Sequence, residues 1–141
     1  MAAFVKYNSF VADIANKIHN LGSDSLKVAL SNRAPVVATD NSLATATEIA
    51  AGNGYTAGGN AAALISSAQS GGTYALKLSD PATWTAAGGS IGPFRYAILY
   101  NATAAGTNLI GYWDYGSAVT LAVGETFVAD LDNSNGVFTL A

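Results

Sequence analysis

Glycine punctuates this chain. From residue 62 onward, runs of alternating apolar and polar residues are separated by Gly71-Gly72, Gly88-Gly89, Gly106, Gly116, Gly124 and Gly136. A strand turns successive side chains to opposite faces, so a period of two marks a strand with one buried face. Tyr74, Leu76 and Leu78 alternate with Thr73, Ala75 and Lys77. Phe94, Tyr96, Ile98 and Tyr100 alternate with Arg95, Ala97 and Leu99, so this run is apolar on both faces and belongs at the centre of a sheet. Runs at 62–69, 109–115, 119–123, 127–131 and 137–140 complete the series. Short strands with a turn signal about every 8–12 residues predict a mainly β fold, an antiparallel β-sandwich of jelly-roll or immunoglobulin-like type.

The first third reads differently. Tyr7, Val11, Ile14, Ile18 and Leu21 recur at helical spacing and predict one N-terminal α-helix over 8–21. Asn8 or Ser9 serves as its N-cap, and Gly22 as its stop. Leu26, Val28 and Leu30 then alternate with Lys27 and Ser31 as a strand. Residues 33–60 carry Pro35, the ambiguous SLATATEIA and the glycine-rich AAGNGYTAGGN, and read as an irregular arm; the sequence leaves open whether it orders alone or on meeting a neighbour. The 141 residues form a single domain, 1–141.

Composition narrows the chemistry. There is no cysteine, which removes disulfides, thiolate metal sites and a cysteine nucleophile. Only 11% of residues are charged and the net charge is −3, so no basic face for nucleic acid is expected. No signal peptide and no run long enough to span a membrane is apparent, so a soluble protein made in the cytoplasm is expected. A surface of Thr, Ser and Asn repels neighbouring copies weakly and suits packing.

A catalytic inventory finds little. His19 is the single histidine and reads as a helix-terminal residue rather than a base or metal ligand. The nine carboxylates fall mostly at turns and caps, as at Asp80-Pro81 and Asp132-Asn133. In DLDNSNG, placing Gly136 at the sixth position of a calcium loop makes Leu131 the first ligand, which excludes an EF-hand; a hairpin turn closed by Asn135-Gly136 is expected instead. Gly52-Asn53-Gly54-Tyr55-Thr56-Ala57 matches a dinucleotide fingerprint, but Gly58-Gly59 would break the helix that pattern requires. No catalytic residue, metal site or cofactor is assigned. The candidate interface is aromatic: Tyr55 and Thr56 on the arm, Trp84, and the cluster Tyr112, Trp113 and Tyr115, in which Trp113 and Tyr115 share a face.

The order of blocks along the chain resembles a family of small tailed-bacteriophage virion proteins. An opening helix leads into LGSDSLKVALSN, then EIAAGNGYTAGGN, DPATWTAAGGSIGPFRYAILYN, LIGYWDYG and GETFVADLDNSNGVFTL. The resemblance implies a non-enzymatic structural protein on the virion surface. Its expected role is that of a capsid decoration (cement) protein that binds the major capsid protein, with a homotrimer as the favoured oligomer. A tail or head-fibre component is the alternative, and a carbohydrate-binding module a more remote one.

Overall fold

The computed structural model describes residues 2–141 and is mainly β, with every strand pair antiparallel. In chain order the elements are β1 (Phe4–Lys6), α1 (Asn8–Ala15), β2 (Leu26–Ser31), α2 (Leu43–Ala46), β3 (Asn60–Ala61), β4 (Leu64–Ser70), β5 (Thr73–Leu78), β6 (Trp84–Thr85), β7 (Ile91–Asn101), β8 (Leu109–Leu121), β9 (Thr126–Phe127) and β10 (Phe138–Leu140). They build a five-stranded sheet in the order β1-β8-β7-β2-β3, a three-stranded sheet β10-β5-β4 and a two-stranded ribbon β6-β9. No described helix is long and apolar enough to cross a membrane.

The five-stranded sheet has two apolar faces, as the pattern of β7 requires. On one face Leu26, Val28, Leu30, Ala97 and Leu99 pack with Leu76 and Leu78 of β5, Trp84 of β6 and Phe10 of α1. On the other, Ala29, Tyr96, Ile98 and Tyr100 pack with Tyr7, Val37, Leu43 and Ala46. The second cover is the irregular segment 33–60, which is packed onto the sheet. Backbone hydrogen bonds join it to the N-terminus (Asn8 N–H to Val37 O, 3.0 Å), to the β7–β8 connection (Leu43 N–H to Thr107 O, 3.1 Å) and to the edge of β2 (Ile49 N–H to Leu30 O, 2.9 Å). Two Arg33–Asp40 bonds, at 2.8 and 3.2 Å, close its first turn. Ser42 and Thr45 form a capping box at the start of α2.

The glycines of this segment serve close approach, not mobility. Gly59 is buried with φ 72°, and a Cβ there would collide with the carbonyl of Val28. Such a site admits no other residue without moving the β2 edge. Between the glycines, Tyr55 is buried and its hydroxyl accepts from Leu30 N–H (3.1 Å) while donating to Glu48 Oε2 (2.7 Å). Glu48 in turn accepts from Gly58 N–H at 2.8 Å. One phenol thus terminates the β2 edge at a point where no strand continues.

Helix α1 is shorter than the periodicity predicts. It starts after Tyr7, which makes no side-chain cap, rather than at Asn8 or Ser9, and it ends at Asn16. Lys17 takes φ 66°, and the bonds Lys17 N–H to Ile14 O and Ile18 N–H to Asp13 O form a Schellman turn five residues before Gly22. The buried stripe is therefore Tyr7 and Phe10, while Val11 is 56% exposed. Phe10 wins because it fits edge-on against Phe138, 5.2 Å away, inside the core.

Three strand expectations also change. The run 109–115 and the part of the run 119–123 up to Leu121 are one strand, β8, in which Tyr115 to Ala118 bulge outward between the pairs Tyr96↔Asp114 and Phe94↔Val119. Of the run 127–131 only Phe127 lies in a strand, β9. The Asp132–Gly136 turn closes no hairpin: it delivers β10 to β5, in a different sheet from β9.

Tyr55→Phe removes one hydroxyl and strands the Leu30 N–H in the core. Leaving a buried donor unpaired costs about 1–3 kcal/mol. Urea unfolding monitored by tryptophan fluorescence should show a lower midpoint with the slope unchanged; an unaltered midpoint would contradict the edge-closing role.

Candidate functional site

The start of the β8 bulge, at Tyr115, borders a concavity. A half-open cleft of ≈ 330 Å³ lies between β7, β8 and the strap 127–131 that follows β9. Trp113 forms part of its floor, held edge-on by Phe4 at 5.3 Å. Phe94 and Phe127 meet edge-to-face at 4.9 Å on one wall. Tyr115 stands at the rim, 59% exposed and 5.8 Å from Phe127, with Val128 exposed nearby. Trp113 and Tyr115, two residues apart, lie on one face of β8, the first as floor and the second, where the bulge begins, as rim.

The polar part of the cleft is self-satisfied. Arg95 holds Asp114 through two bonds, Nε to Oδ1 at 2.8 Å and Nη2 to Oδ2 at 3.0 Å. The guanidinium also lies 5.4 Å from the Tyr96 ring. The Arg95 fork, joined by the Gly116 N–H, holds the Asp114 carboxyl below the usual carboxylate range. Asp130 adds an exposed carboxylate at the lip. The site offers aromatic surface with a fixed, neutralised ion pair, a chemistry for receiving an apolar or planar group.

The other candidate residues lie elsewhere. Tyr55 and Trp84 are core residues, 2% and 1% exposed, and their rings stack 6.4 Å apart. They are corrected from interface to interior. Tyr112 is half-buried on the opposite sheet face, 5.6 Å from Tyr7 and 6.1 Å from Tyr96. Thr56 is exposed beside Tyr55, away from the cleft lining. A glycan platform built on Trp84 is excluded by its burial, and any test that deletes Trp84 would probe folding instead. The strap 127–131, with Phe127 and Val128, was missed because it reads as one more strand. The glycine after Tyr115 was the available signal for the bulge.

His19 is buried in the loop after α1, 5.3 Å from the Phe10 ring. The Asn101 side-chain oxygen accepts from the Thr103 and Ala104 N–H groups, so its amide nitrogen must face the other way. That nitrogen donates to His19 Nδ1 (3.0 Å) and to Asp24 Oδ2. Nδ1 is then an acceptor, and the proton of neutral His19 sits on Nε2, 3.9 Å from Asp13 Oδ2. No group of three or more His, Cys, Asp or Glu able to share a metal ion occurs among the described residues. The carboxylates anchor backbone: Asp80 accepts from Leu131 N–H, Asp132 from Ser134 and Asn135 N–H, and Asp40 from Val36 N–H. Burial opposes ionisation of Asp40, but the Arg33 bonds and the Val36 N–H outweigh it and hold the carboxyl below its ordinary value.

Comparison with family models, with curated proteins and with solved structures finds no match to this chain.

Burial pushes His19 below its ordinary pKa of 6.5, against the opposing pull of Asp13 and Asp24. The unfolded chain therefore binds a proton that the folded one resists, so stability is full above pH 6.5 and falls as the pH drops toward the lowered value. Thermal melts between about pH 7.5 and 5 should show this loss, and His19→Gln should flatten that window. An equally steep decline in the variant would contradict the assignment. The contributions of Asp40 and Asp114 fade only at lower pH, because their values are depressed.

Proposed function

We propose that the chain is a structural protein of a tailed-phage virion that decorates the outer head shell and stabilises it. The cleft carries the reading: a half-open aromatic recess with an exposed apolar rim and a neutralised ion pair is built to seat a neighbour's apolar side chain. The order of sequence blocks supports the same class, as does a surface poor in charge. The partner is the major capsid protein, and the location is the capsid surface, with several copies of the chain acting together.

The mechanism is burial of apolar area. Each Å² of apolar surface withdrawn from water contributes about 25 cal/mol, so one seated side chain and the closed rim supply a few kcal/mol per site. A contact that spans two shell subunits must be re-exposed to water before they separate, so bound copies shift the shell toward its assembled state. Repetition over a symmetric shell raises avidity beyond the single contact.

Undecorated heads of the encoding phage, incubated with the purified chain and imaged by electron cryomicroscopy, should show regular added density on the outer surface. The double variant Tyr115→Ser, Val128→Asp changes two exposed residues and should lose that density while its melting curve stays close to wild type. Bare heads after incubation with wild type would overturn the reading. Density confined to the tail would replace it with the tail-component alternative.

A further inference from the structure

Strand β4 ends its sheet and is open along its length on the side away from β5. The other edge strands are short: β1 has 3 residues, β3 has 2 and β10 has 3, against 7 in β4. Folded proteins guard such edges with charge, proline or cover. β4 has neither charge nor proline, and the whole stretch 49–76 contains no Asp, Glu, Lys or Arg. Most of its residues are exposed, Ile65 at 52%.

The hairpin fixes which backbone groups face outward. Gly71 and Gly72 have φ 58° and 86°, the two positive values of a two-residue primed turn. Ser70↔Thr73 is then a hydrogen-bonded pair, and so are Ala68↔Ala75 and Ser66↔Lys77 by alternation. Ser67 and Gln69 direct their N–H and C=O away from β5. No other described segment bonds to these backbone groups.

We propose that β4 pairs with β4 of a second copy, antiparallel, about a two-fold axis through Ala68. In this register Ser67 faces Gln69 of the other copy and Gln69 faces its Ser67, so all four outward groups of each strand are paired. Ala68 meets Ala68 at the close, non-hydrogen-bonded position, where a methyl group fits. Ser66 faces Ser70, a neutral hydroxyl pair. The bulged Ile65 comes to the other copy's Gly71–Gly72 turn, where nothing lies within 4 Å of an added Cβ. A second copy is the favoured occupant because the segment is its own complement: the pairs Ser67–Gln69, Ala68–Ala68 and Ser66–Ser70 are small or polar, Ile65 lies against glycine, and no pair sets charge against charge. The contact is isologous, so it closes at two copies and joins two three-stranded sheets into six strands. It does not depend on the shell-binding reading. A strand pair of this length falls short of the roughly 1,200–2,000 Å² of a stable interface, so a weak, concentration-dependent dimer is expected.

Sedimentation velocity from about 5 µM to about 1 mM should move from monomer toward dimer for wild type, a range that matches micromolar to millimolar affinity. Ala68→Lys and Ala68→Glu keep every backbone bond but set like charges face to face on the axis. Each alone should stay monomeric with an unchanged melting curve, and an equimolar mixture should dimerise. Amide exchange at Ser67 and Gln69 should slow with wild-type concentration. A wild type that stays monomeric throughout, a Lys variant that dimerises like wild type, or a dimer without slowed exchange at these amides would each overturn the proposal.

Discussion

The fold depends on how β2 is sealed. A five-stranded sheet with apolar residues on both faces needs two covers, and its β2 side needs a partner for the backbone groups that β3 does not reach. One folded-back segment does both. Gly59 lies directly against the Val28 carbonyl, the Tyr55 hydroxyl takes the Leu30 N–H, and Ile49 N–H reaches the Leu30 carbonyl. The preceding stretch lays Val37, Leu43 and Ala46 over Ala29, Ile98 and Tyr100. Because an unpaired backbone group in the interior is costly, this closure and the burial of the second face stand or fall together.

The same economy of charge shapes the surface. Asp40, Asp80 and Asp132 are engaged with nearby backbone N–H groups, and Arg33 and Arg95 are each committed to a single carboxylate. Few ionic groups remain to keep neighbours apart. What the molecule presents outward includes an aromatic cleft, scattered aliphatic side chains and the bare edge of β4. These are features suited to contact, and they stand on a scaffold whose glycines are placed by steric necessity.

Strand content was legible because period-two alternation survives at sequence level: β2, β5 and β7 follow their apolar patterns, and Gly71-Gly72 marks its hairpin. What escaped was set by tertiary geometry. The end of α1 turns on Lys17 adopting a left-handed conformation, which no residue preference announces. Whether the arm is ordered stayed open because glycine marks both flexibility and close approach, and only the position of the Val28 carbonyl separates the two. The joined strand β8 was split because its four-residue bulge imitates a turn. The aromatic residues were counted correctly but could not be sorted, since Trp84 in the core and Tyr115 at the rim carry similar local contexts. Half of the cleft was within reach through Trp113 and Tyr115; the strap that completes it was not.

Hydrogen exchange on the isolated chain tests the sealed edge most directly. If residues 33–61 are an integral cover, the amides of Leu30, Ile49 and Leu109, bonded respectively to Tyr55, Leu30 and Asn41, exchange only with global unfolding and share the protection of the β7–β8 ladder. Rapid exchange at these three while the ladder stays protected would show that the segment opens by itself, and would contradict the account.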